Sequence, residues 1–368
     1  MKLRTLLVFS ILIVSSTVML AATDKRDEKS RGPKIERTIA ADANVSVSAC
    51  LLSGSIKVHG WDRKEVRARS LDAADIEFRR ADESTNGSLA RKIELLIADK
   101  AQGRGHTNTC ESYSEIELDV PRGAIVQLQT RDGEINVFEV ATVYVSTQNG
   151  DISIDRAMKT VDAGTIGGSI TLKNSSGRVN LHSAGGSIEA TDVRPAEAGD
   201  SFEAASVGGE ITLDRVSHVQ LNAHTLNGSL CVTGPLAHGG RYGFRTISGD
   251  LTLTLPANSS FKLSAKFSQQ AEIITDFPIT LATFSTARTS PPPKPGAAPA
   301  PSPGAGSDHA AGKKGNSAPV VAKVKTNKGT VVVDLSNFAL RRLEGIHGTG
   351  DALLELASFS GTIHLRKQ

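Results

Sequence analysis

The chain has 368 residues, enough for two ordinary domains or one elongated one. Its 42 lysines and arginines nearly balance 39 acids, and the two signs are interspersed, which removes the electrostatic case for nucleic acid or an anionic lipid surface as partner. Aromatic residues make up only 4% of it, too few for the broad aromatic platforms of sugar clefts or the bulk that β-sandwich cores lean on.

Read from the start, Lys2 and Arg4 precede an apolar run over residues 6–20, and Ala21 and Ala22 lead into a charged stretch over 24–29. A basic segment, an apolar segment and small residues at a cleavage point are the parts of an export signal, here residues 1–22. The run is shorter than the ~20 apolar residues of a membrane span, and an uncleaved N-terminal anchor is the alternative. Cleavage removes two cations and no acid, so the net charge falls from +3 to +1. The expected address is extracytoplasmic: periplasm, cell surface or medium. Residues 23–34 read as a flexible segment. Of the three cysteines, Cys50 and Cys110 both lie in the N-terminal third and can pair in an oxidising compartment, or stand as separate thiols. Cys231 is left over.

Residues 35–130 hold irregularly spaced alternating segments such as "NVSVSACLLSGSIKVHGW" and "SEIELDVP", read as a β cap. From residue 131 to 288 a pattern takes over: glycine, polar, aliphatic, any residue, then aliphatic or Ala. It stands at Gly133, Gly150, Gly168, Gly177, Gly186, Gly209, Gly228 and Gly249, with copies at Gly54 and Gly361. The intervals cluster near twenty residues, one of them halved at Gly177. The glycines are expected to supply positive φ at turns. The alternation after them marks a five-residue strand with one buried face. A unit that small cannot bury its own apolar face, whereas stacked units can, and fixed-period self-similarity is the signature of a solenoid. The expected fold is therefore an all-β solenoid with Ile135, Ile152, Ile170, Ile211, Leu230 and Leu251 in one inward ladder; antiparallel hairpins in a sandwich are the rival. Residues 289–319, rich in Pro, Ala and Gly, read as a disordered insert, and 320–368 as C-terminal rungs.

The stretches "SGSIKVHGWDRKEVRARS" (53–70) and "IELDVPRGAIVQLQTRDGEINV" (116–137), with the Gly-x-Ile-x-Val units that follow, resemble the DUF4097 family. That resemblance spans roughly residues 35–368 and implies an extracytoplasmic bacterial β-solenoid, often labelled an adhesin, with envelope functions and no catalytic residues to carry over.

The residues offer little chemistry of their own. Gly-x-Ser-x-Gly, HExxH and CxxC are all absent, and His218 with His224 makes two ligands at most. The paired glycines precede strands rather than helices and so are turns, with no phosphate loop. Acidic residues follow several repeat glycines (Glu134, Asp151, Glu210, Asp250), and adjacent carboxylates are what glycoside hydrolysis needs. The same position also holds Ser169, Arg178, Ser187 and Ser229, as a solvated turn would. Three residues after each glycine stand Asn136, Ser153, Thr171, Asn180, Glu189, Thr212, Cys231 and Thr252. If the rungs register, Asn136, Ser153, Thr171, Asn180, Thr212 and Thr252 form an outward hydroxyl and amide strip. No cofactor or metal is expected. The chain reads as a non-enzymatic envelope binding or scaffolding module, its partner an envelope glycan or another envelope protein. A polysaccharide-acting β-helix enzyme and an envelope-stress or self-assembling structural protein are the alternatives.

Overall fold

The computed structural model describes residues 35–72, 74–82, 88–98, 110–268, 271–281, 321–326, 329–334 and 341–368; the leader (1–22), the segment 23–34 and the insert (289–319) lie outside them. Among the described residues every regular element is a strand. Each repeat is one rung of two strands, one leading into the edge glycine and one trailing from it. The rung of Gly150 pairs Thr142–Thr147 with Ile152–Asp155, and that of Gly168 pairs Thr160–Thr165 with Ile170–Lys173. The rungs of Gly186 and Gly209 follow with Arg178–Ser183 and Ile188–Val193, then Ser201–Ser206 and Ile211–Val216. Those of Gly228 and Gly249 hold Gln220–Asn227 and Leu230–Thr233, then Arg241–Ser248 and Leu251–Leu255. Leading strands bond in parallel to leading strands. Trailing strands do the same with trailing strands. The product is a solenoid with a leading face, a trailing face and a thin core between them, and not the rival sandwich of antiparallel hairpins.

The alternation in sequence fixes that core. Ile135, Ile152, Ile170, Ile188, Ile211, Leu230, Leu251 and Ile363 stack in one ladder. None is more than 1% exposed. Each such side chain contributes about 1.5–3 kcal/mol on burial. Opposite them the leading strands present Val126, Val143, Val161 and Val179, then Phe202, Leu221 and Tyr242. The scarce aromatics thus gather toward the C-terminal end, where Phe261 and Phe277 meet edge-on at 5.4 Å.

At both ends the rungs leave chain order. Part of the long strand Ile35–Trp61 already forms a rung, around Gly54, that pairs in parallel with Ile125–Phe138. On its other side lie Ala90–Ala98 and Tyr113–Pro121, which come later in sequence. Antiparallel Glu65–Ser70 and Asp75–Arg80 then close this end. At the far end the rung of Gly361 (Ala352–Ser360 and Thr362–Lys367) inserts between the Gly249 rung and the strands Phe261–Phe267 and Glu272–Thr275. Antiparallel Arg341–His347 covers Phe261–Phe267. One expectation changes accordingly. The boundary at 130/131 falls inside the strand Ile125–Phe138, because the solenoid begins with Gly54. The expected C-terminal rungs include that of Gly361, which is intercalated ahead of strands that precede it in sequence. A disulfide joins Cys50, in the Gly54 rung, to Cys110, with Cα atoms 4.9 Å apart.

Candidate functional site

The outward residues of the trailing face form one unbroken column. Lys57 stands beside Asn136, then come Ser153, Thr171, Glu189, Thr212, Cys231, Thr252 and His364. Parallel in-register strands stand about 4.8 Å apart, so this is a ruler of polar groups on a stiff backbone. Asn180 does not belong to it. Gly177 lies at the opposite edge of the rung, so Asn180 sits on the leading face between Asp162 and Glu203, and its amide reaches Asp162 at 3.4 Å. The halved repeat interval had a simple meaning: two edges, not one.

The glycine edge is built differently from the expectation. Only Gly54, Gly177, Gly249 and Gly361 among the repeat glycines take a left-handed φ. The others are glycine because the rungs touch there. A Cβ on Gly150, Gly168, Gly186, Gly209 or Gly228 would collide with the carbonyl oxygen of the preceding glycine in the stack. Beside each glycine runs a buried hydroxyl ladder that single matches to the repeat do not reveal. Three residues before their own glycines, Thr165, Ser183, Ser206, Thr225 and Thr246 donate to the glycine carbonyl of the preceding rung at 3.0–3.3 Å. Ser183 also accepts from the N–H of Gly186 at 2.9 Å. The signal is legible as [ST]-x-x-G at every repeat glycine but Gly54 and Gly177, which Leu51 and Asn174 precede.

Between hydroxyl and glycine the chain turns its next residue outward, and for six rungs that residue is apolar: Ile166, Ala184, Val207, Leu226, Ile247 and Phe359. The five large ones are 40–59% exposed. Thr225–Thr246–Ser358 and Asn227–Ser248–Ser360 are paired on either side, which puts Leu226, Ile247 and Phe359 level with one another. Gln148 ends the ridge toward the N-terminal side.

The opposite edge carries side chains where a turn demands left-handed backbone. Glu139, Arg156, Asn174, Asp192 and Arg215 each have φ of 49–57°. They interlock between rungs: Arg156 with Glu139 at 3.2 Å, Asn174 with Asp155 at 2.9 Å, Arg215 with Asp192 at 2.6 Å. The bond to Arg215 holds the Asp192 carboxyl below its ordinary range. His218 is also at this edge. It is buried rather than solvated, and Nε2 donates to the carbonyl of Gly177 at 2.7 Å while Nδ1 has no partner. The extra residues of the longest repeat interval bulge out at Ala196–Asp200. His218 fills the space beneath, against Phe202 at 5.7 Å, and burial lowers its pKa. His224 is exposed on the leading face, so the two histidines do not meet.

The acidic turn residues have structural employment. Asp151 accepts the backbone N–H of Ser169 and Asp250 that of Thr362, both at 2.8 Å, and Glu134 takes the amide of Asn136 at 2.9 Å. The Cys231 thiol, half-buried beside Glu210 at 3.6 Å, is pushed up by burial first and that carboxylate second. Among the described residues no three His, Cys, Asp or Glu side chains gather to hold a metal. A shallow groove of about 710 Å³ opens on the leading face between Glu94, Gln127, Tyr144 and Asp162. It is a trough across neighbouring strands.

Stacked parallel rungs, a glycine edge and outward polar columns define a β-solenoid repeat protein. Residues 103–277 match the family model described as Toastrack DUF4097, so the resemblance to that family holds over the stretch that carries most of the repeats. No curated protein matches the chain. Among solved structures, a "putative cell adhesion protein" from Clostridium sporogenes ATCC 15579 is similar over 91% of this chain and 100% of its own, at 9% identity and a TM-score of 0.17. A "putative adhesin" from Parabacteroides distasonis ATCC 8503 is similar over 61% of this chain and 91% of its own, at 10% identity and a TM-score of 0.27.

Proposed function

We propose that the chain is an exported, non-enzymatic binding or scaffolding module of the bacterial cell envelope, adhesin-like in action. The observation that carries this reading is the column from Asn136 through Ser153, Thr171, Thr212 and Thr252, repeated at the rung spacing on a rigid face. A repeating polymer such as an envelope glycan meets such a ruler with many weak hydrogen bonds, each about 0.5–1.5 kcal/mol net, and gains affinity through their number. Rigidity matters because little side-chain freedom is lost on docking. The export signal over residues 1–22 and the Cys50–Cys110 disulfide both suit an oxidising, extracytoplasmic setting. The carboxylates that a polysaccharide-cleaving reading would enlist are engaged in capping the next rung.

The test mixes the purified protein with insoluble envelope polysaccharide, peptidoglycan included, and follows retention in the pellet and soluble sugar in the supernatant. Saturable retention without release is the expected result. Sugar release that disappears in Glu134→Gln or Asp151→Asn would make the protein an enzyme and end this reading.

A further inference from the structure

The apolar ridge at the glycine edge has an occupant that its flanks identify. On the leading-face side, two residues before each ridge residue, stand Gly164, His182, Ala205, His224, Arg245 and Ala357, a column with one permanent cation, Arg245, and no carboxylate. On the trailing-face side, three residues after each, stand Ser169, Ser187, Glu210, Ser229, Asp250 and Thr362, with two carboxylates and no cation. Among the described residues neither Arg245 nor Asp250 has an ion-pair partner within the chain; Asp250 accepts only the backbone N–H of Thr362. The ridge itself, Ile166 to Phe359, is six rungs long, about 24 Å at the rung spacing, and too apolar to be ordinary solvated edge.

We propose that this edge is a homodimer interface, in which a second copy of the chain packs ridge against ridge about a two-fold axis parallel to the solenoid axis. The charges select that axis. A two-fold parallel to the stack turns the second copy's trailing face up beside the first copy's leading face, so opposite charges meet at the rung that carries both, that of Gly249. A two-fold perpendicular to the stack through the Gly249 rung would set Arg245 against Arg245 and Asp250 against Asp250. Rotation about a parallel axis also keeps rungs level. Arg245 of one copy then faces Asp250 of the other, twice, with Ile247 of each between them. The contact uses a different edge from the polar column of the trailing face, so dimer formation and glycan retention fail independently.

Sedimentation velocity on the full chain, across a range of concentrations, reads the outcome. The protein is expected to dimerise. Ile247→Asp and the charge reversals Arg245→Glu and Asp250→Arg are each expected to be monomeric with unchanged far-UV circular dichroism. Mixing the Arg245→Glu and Asp250→Arg proteins should restore a dimer, because both cross-pairs then have opposite signs. Should Asp250→Arg lose its fold with its backbone cap, Asp250→Asn, which keeps an acceptor for the Thr362 N–H, and raised salt on the parent serve in its place, each expected to weaken the dimer. A wild-type protein that stays monomeric, a dimer indifferent to Ile247→Asp, or two folded reversals that remain monomeric on mixing would overturn the proposal.

Discussion

The two edges of the solenoid solve one problem, turning the chain between faces, with opposite chemistry. At the glycine edge successive rungs approach so closely that a single Cβ collides with the carbonyl one rung away, and the residue type is dictated by contact. At the other edge the backbone is left-handed, the conformation usually credited to glycine, yet Glu139, Arg156, Asn174, Asp192 and Arg215 occupy it. Left-handed φ costs an L-residue on the order of 1 kcal/mol, which inter-rung pairing and an otherwise fixed rung can offset. A steric collision with backbone has no such remedy. The lesson is that a repeated glycine in a solenoid reports proximity before it reports dihedral angle.

The sharpest way to break the comparison is to exchange the residue types. Gly168→Ala is expected to destabilise by about 3 kcal/mol or more, or to prevent folding, since strain of this kind exceeds ordinary overpacking. Asn174→Gly should stay within about 1 kcal/mol of the parent and is expected to shift the denaturation midpoint little in either direction. Equal losses at the two sites would show that the edges do not differ. A smaller effect is expected for Ser183→Ala, which leaves the Gly168 carbonyl and the Gly186 N–H without their partner, at about 1–3 kcal/mol by urea unfolding. Were the hydroxyl ladder idle, the midpoint would not move.

The weakest of these effects belongs to His218, and it depends on pH. Because burial lowers its folded-state pKa below the ordinary value of 6.5, the unfolded chain binds the proton more readily. Its contribution is complete above that ordinary value and is lost as pH falls below it through the lowered folded-state pKa. Nearby Asp200 opposes the shift without cancelling it. His218→Gln should flatten the stability profile on the acid side of pH 6.5 relative to the parent. Parallel profiles for the two proteins would show that this histidine titrates as if solvated.

Much of the architecture is legible in the sequence. Period-two alternation after each glycine located the inward Ile and Leu ladder, because alternation and burial are the same fact in a strand. The order of rungs at the ends was not legible: which strand lies beside Gly249 depends on how Ala352–Ser360 competes with Phe261–Phe267, and both alternate equally well. The sequence places Asn180 on the trailing-face strip and the structure on the leading face, because the local pattern at Gly177 matches that at Gly168 and only the stack distinguishes the edges. The apolar ridge is not legible in the sequence, since one apolar residue per repeat is ordinary until the stack aligns six of them.

The central functional claim is that the trailing-face column makes the contact with the envelope. Its direct test is retention on insoluble envelope polysaccharide by Thr171→Lys/Thr212→Lys/Thr252→Lys against the parent, with circular dichroism confirming the fold. These outward, half-buried positions accept long side chains without touching the core, so the triple variant should fold and lose at least tenfold in apparent affinity. Undiminished retention by a folded triple variant would contradict the account and move the contact to another face.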